Sequence, residues 1–124
     1  MKPHDEQLIQ AELDKIANDI PKTMAVFVAS TDLWSISSTI KPEPDNKHGL
    51  RISTAYFATL DAHLESNFRL GGWQQMICAG SDGLVINLPL QAACALILVM
   101  QPDTQLDELF STIDPYYESL VKYF

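Results

Sequence analysis

Ala92–Met100 reads AACALILVM, an apolar run with no polar interruption. A strand with one wet face would alternate polar and apolar residues. This run does not, so both of its faces must be covered and it belongs inside a sheet. Met24–Ala29, MAVFVA, is shorter, partly β-branched and equally continuous, and it takes the same reading. Two central strands, one near each end of the chain, constrain where everything else can go.

Outward from these runs, the pattern changes. Trp34, Ile36, Ser38 and Ile40 alternate with Ser35, Ser37 and Thr39, which predicts a half-buried strand at a sheet edge after a turn at Ser30-Thr31-Asp32. Trp73–Ala79, WQQMICA, mixes polar and apolar residues as a second edge would. Ser81-Asp82-Gly83 is a tight hairpin signal, because Asp-Gly supplies the positive φ that such turns need, and Leu84–Pro89, LVINLP, returns from it. The charged, proline-containing stretch Lys41–His48, KPEPDNKH, reads as a surface loop.

Three helices complete the order. The first spans about Asp5 to Asp19, with Ile9, Leu13, Ile16 and Ile20 on one stripe and Pro21 as its stop. The second runs from about Leu50 to Leu70 and ends at Gly71-Gly72, with Leu50, Phe57, Leu60, Leu64 and Phe68 as its core stripe. The third is expected to start at Thr104 as N-cap, with Asp107 in the first turn and Leu106, Leu109, Phe110, Ile113 and Tyr117 facing inward. Pro115 predicts a kink or break there, with Asp114 capping a new turn.

Helix, two strands, helix, three strands, helix, with short links inside each strand group, gives antiparallel neighbours. With the first and fifth strands central and the second and third at the edges, one simple order satisfies the pattern: 2-1-5-4-3. The fold class is therefore α/β (α+β), a three-layer sandwich around a five-stranded antiparallel sheet. The first and last helices share one face and the middle helix takes the other.

Size and charge narrow the function. A chain of 124 residues is expected to form one domain, residues 1–124, and buries roughly two-thirds of its unfolded surface. Its apolar fraction of 47% is ordinary for a globular chain, and no apolar run approaches the roughly 20 residues needed to cross a bilayer. Met1–Gln10 is polar and charged, unlike a signal peptide, so a cytoplasmic location is expected. Sixteen acidic against eight basic residues give a net charge of −8, which repels nucleic acid and anionic lipid and suits a partner with a basic patch. Cys78 and Cys94 lie in apolar runs without metal-ligand spacing and read as buried, inert thiols.

Chemistry is sparse. Ser81 lacks a Gly-x-Ser-x-Gly elbow, and Gly71-Gly72 ends a helix where a phosphate cradle would open one. His63 is the best base for Cys78, yet it lies on a helix line facing away from the core. His4, His48 and His63 form no spaced ligand pair, and Glu43, Asp45 and Asn46 lack the alternation of a calcium loop. No catalytic residue, metal or cofactor is expected.

The middle helix carries one feature its own sheet does not require. Besides the core stripe, Ile52, Tyr56, Thr59, His63 and Leu70 follow the same spacing on another side of the cylinder. A second such line reads either as amphipathic surface, with Tyr56 and His63 in solvent, or as contact with another chain.

Over nearly its whole length the chain resembles the roadblock/dynein light chain family. The resemblance rests on the first hairpin AVFVASTDLWSIS, the helix ending Leu70-Gly71-Gly72, the turn Gly80-Ser81-Asp82-Gly83, LVINLPL with Pro89-Leu90, and the long apolar last strand. It departs from the family at Asp32, which is followed by Leu33 and Trp34 where Asp-Gly is usual, and in a longer loop before the middle helix. The resemblance implies a homodimer in which two middle helices pair and two third strands meet edge to edge. The residues it assigns to that interface are Ile52, Tyr56, Thr59, His63, Leu70, Trp73 and Gln75. It further implies a non-catalytic regulator or scaffold of a small Ras-like GTPase. Two other readings of the residues remain: a small-molecule sensor with a pocket under the middle helix, lined by Phe57, Leu60 and Leu64, and, more remotely, an enzyme using Cys78.

A charge placed in a packed helix–helix contact costs several kcal/mol. Tyr56→Asp is therefore expected to convert dimer to monomer in a solution-mass measurement; an unchanged mass would place Tyr56 in solvent.

Overall fold

A computed structural model describes residues 3–30, 34–41, 75–91 and 93–124. In chain order the elements are α1 (Pro3–Asp19), β1 (Thr23–Ser30), β2 (Ser35–Ser37), β3 (Met76–Gly80), β4 (Gly83–Pro89), β5 (Cys94–Met100) and α2 (Leu106–Val121). The five strands form one antiparallel sheet in the order β2-β1-β5-β4-β3, as the two apolar runs require.

Register lines the side chains into rows across the sheet. Ile36 stands opposite Val28, Val28 opposite Leu96, and Leu96 opposite Leu88. The next row runs from Val26 through Leu98 and Ile86 to Ile77. Paired residues share a face, so these rows form one apolar surface. Onto it pack Ile9, Leu13, Ile16 and Ile20 on and just after α1, and Leu109, Ile113 and Leu120 from α2, all buried. Burying each such side chain contributes about 1.5–3 kcal/mol. The two helices are joined across their surface by the Tyr116 hydroxyl, which donates to Asp19 Oδ2 at 2.5 Å.

On the opposite face Phe27, Ala29, Ala95 and Ile97 are also buried, with Val85 and Val99 beside them. Asn87 lies in the Phe27–Ile97 row, 1% exposed, and neither its amide nitrogen nor its oxygen has a hydrogen-bond partner among the described residues. No described element lies over this face. The middle helix of Leu50–Leu70, its two stripes, the loop Lys41–His48 beyond Lys41, and the turn at Thr31–Leu33 lie outside the described residues.

Several local expectations are corrected. The N-cap of α2 is Gln105, one residue later, with no side-chain cap, and Thr104 Oγ1 donates to the Gln101 carbonyl at 2.7 Å. Pro115 sits inside α2 without ending it. The two tyrosines that follow it anchor that turn, Tyr116 to Asp19 and Tyr117 to the Pro89 carbonyl. β2 stops at Ser37, and Ile40 is exposed where alternation predicted an inward side chain. Cys94 is buried, but Cys78 is exposed. It lies on β3, which has a neighbour on one side only, and it shares the face of Val85, away from the helices.

The early end of β2 has a visible cause. Asp14 of α1 accepts hydrogen bonds from Ser38 Oγ at 2.7 Å and the Thr39 amide at 2.8 Å on Oδ1, and from Thr39 Oγ1 at 3.0 Å on Oδ2. Ser38 Oγ in turn accepts from the amides of Ile40 and Lys41. This clamp turns the chain off the sheet and onto the helix. Partial burial pushes the Asp14 carboxyl up, but the bonds from Ser38, Thr39 and Ile40 outweigh it, so its pKa lies below the usual carboxylate value.

A depressed folded pKa stabilises above the unfolded carboxylate pKa and loses that contribution as pH falls through the folded value. Asp14→Ala should therefore cost about 1–2 kcal/mol at neutral pH. In denaturant melts its deficit should shrink below about pH 4. A deficit of equal size at pH 3 and pH 7 would show that the carboxylate is not the stabilising group.

Candidate interaction surface

The two sheet edges differ. β2 is three residues long, and the Asp14 clamp pulls the chain away after it. β3 is a full strand, Met-Ile-Cys-Ala-Gly, with no charge and no proline, and among the described residues no further strand lies beyond it in the sheet. Ile77, Cys78, Ala79 and Gly80 are exposed. Native edges are usually blunted by lysine, proline, bulges or shortness, because unpaired N–H and C=O groups invite another strand. None of these devices is present on β3.

The hairpin sets which backbone groups face outward. Ser81 and Asp82 form a two-residue loop closed by the pair Gly80 and Gly83. The closing pair of such a turn is hydrogen-bonded, and bonded pairs then alternate, so Cys78 and Met76 bond inward to β4 while Ile77 and Ala79 point their N–H and C=O groups outward. Gly83 has a separate role: a Cβ there would sit 3.1 Å from the Met100 carbonyl, so β4 could not approach β5 as closely.

Beside this edge, on the helix-covered face, lies an open groove of about 370 Å³. Leu88 and Pro89 of β4 with Gln75 form one side, and Phe110, Ile113, Asp114 and Tyr117 of α2 form the other. The Tyr117 hydroxyl donates to the Pro89 carbonyl at 2.5 Å and closes one end. Burial, then the nearby Glu118 charge, raises the Tyr117 pKa and keeps it a neutral donor. Asp114 is exposed at the rim, with no ion pair among the described residues.

Comparison with solved structures identifies the architecture. Myxococcus xanthus MglB superposes with a TM-score of 0.84 at 17% identity, covering 98% of this chain and 91% of its own. The chain has the roadblock/LC7 fold. A Roadblock/LC7 domain from Streptomyces avermitilis matches this roadblock fold at TM-score 0.77 and 14% identity, over 92% of this chain and 95% of that one. A gliding protein MglB from Thermus thermophilus matches at 0.70 and 12%, over 95% and 90%. No family model and no curated protein matches the sequence. Among the described residues, no helix is long and apolar enough to cross a membrane.

Of the residues assigned to an interface from the sequence, Gln75 is exposed just before β3 and lines the groove. Ile52, Tyr56, Thr59, His63, Leu70 and Trp73 lie outside the described residues, as does His63 as a base for Cys78. Sequence reasoning did not find the groove on this roadblock fold. Phe110 and Tyr117 were assigned to the core, and both are only partly buried. The available signal was the spacing Phe110, Asp114, Tyr117, Val121, a second line along α2 beside the buried line of Leu109, Ile113 and Leu120.

Proposed function

We propose that this chain is a non-catalytic regulator or scaffold that works as a homodimer, with a small Ras-like GTPase as its partner. The observation that carries the dimer is the bare β3 edge: five residues, uncharged, with Ile77 and Ala79 presenting unpaired backbone groups. Pairing two such strands antiparallel would satisfy those groups and continue the sheet across both copies. Self-association has a precedent on this fold, since a solved MglB with TM-score 0.81 is described in a tetrameric arrangement. The GTPase follows from the family resemblance. The net charge of −8 favours a partner with a basic docking face. On this reading any nucleotide chemistry belongs to the partner.

Ala79→Pro tests the seam. A proline at Ala79 removes an outward N–H and leaves the inward bonds to β4 in place, so the protomer should stay folded. Light scattering should give twice 13.8 kDa for the parent chain and 13.8 kDa for the variant. A parent that is monomeric at every concentration, or a variant that remains dimeric, would refute the β3 seam. For the partner, pull-down with a co-encoded Ras-like GTPase is expected to depend on bound nucleotide. Equal failure with the GTP-bound and GDP-bound forms would refute the GTPase assignment.

A further inference from the structure

The groove between β4 and α2 has a chemistry of its own. Leu88, Phe110 and Ile113 supply apolar walls, Pro89 and Tyr117 close one end, and Asp114 stands at the mouth. α2 carries Asp107, Glu108, Asp114 and Glu118 and no lysine or arginine. Among the described residues no cation lines the groove. A partly buried aromatic beside an unneutralised carboxylate favours a side chain that is apolar along its length and positive at its end, or an apolar residue with a cation one turn away.

Charge also selects among occupants. A second copy of this chain placed helix to helix would bring the same acidic α2 against Asp114, which is repulsive at this site. A basic amphipathic segment from another protein would find both the apolar surface and the opposite charge.

We propose that this groove docks a basic amphipathic segment of a second protein, an apolar side chain entering between Leu88 and Phe110 while a lysine or arginine meets Asp114. The inference goes beyond the function proposed above, because it needs neither the β3 seam nor a GTPase.

The probe is a fluorescein-labelled amphipathic helical peptide of leucine and lysine, with a leucine–glutamate peptide of equal length as control. Titration is by fluorescence anisotropy at physiological salt, so that diffuse charge attraction is screened. The lysine peptide is expected to bind and the glutamate peptide not. Asp114→Lys should weaken binding by about tenfold or more, since it replaces attraction with repulsion at the mouth. It should leave the fold intact, because a lysine there lies one turn before Glu118 on an exposed helix face. Glu6→Lys, an equal charge change on exposed α1, should stay within about twofold. Amide shifts on binding should concentrate at Leu88, Phe110, Ile113 and Tyr117. Equal weakening by both variants, no binding by the lysine peptide, or a solution mass altered by Asp114→Lys would each overturn the proposal. The last result would mean that another copy occupies the groove.

Discussion

The structure depends on the antiparallel ladder between β1 and β5, buried on both sides. Thr23 to Ser30 and Cys94 to Met100 bond to one another near opposite ends of the chain, and neither strand has a face that could be left in water. Everything else is arranged to cover them. α1 leads into β1 through Ile20, Pro21 and Lys22, where Lys22 takes a positive φ of 67° and its ammonium bonds Asp103 ahead of α2. The links that follow α1 and precede α2 are thus tied together, by Lys22 to Asp103 and by the Gln101 amide donating to the Lys22 carbonyl.

Placing the central strands first and last leaves β2 and β3 on the outside, and the chain treats them unequally. β2 is short and its continuation is captured by Asp14, so little edge remains to pair. β3 keeps its outward backbone groups, its exposed Ile77 and no charge to repel a neighbour. An acidic line runs along α2 next to the groove.

What could be read from residues alone follows from how local each signal is. The two central strands and the α1 stripe of Ile9, Leu13, Ile16 and Ile20 depend on periodicity and appear as read, while the Gly80–Gly83 hairpin forms in its expected place but closes on Ser81-Asp82 without the positive φ expected of Asp-Gly. Strand order followed from them by exclusion. The failures occur where a distant residue decides. Ile40 turns outward because Asp14, 26 positions earlier in sequence, holds Thr39. Pro115 is carried through α2 by contacts of its neighbours with Asp19 and Pro89. Cys78 looked like core because its strand is apolar, but an edge strand can be apolar for a partner's sake. Asn87, polar within an apolar run, had no sequence signal that would place it 1% exposed beside Phe27 and Ile97.

The central claim is that the outward backbone groups of β3 are bonded to a second copy in solution. Residue-resolved hydrogen exchange of the Ile77 and Ala79 amides reads this directly, because among the described residues of a lone protomer neither amide has a partner. The account predicts that both exchange slowly, with protection approaching that of interior β4 amides such as Ile86, and that this protection falls on dilution. Exchange at the rate of open solvent-facing amides, independent of concentration, would contradict it.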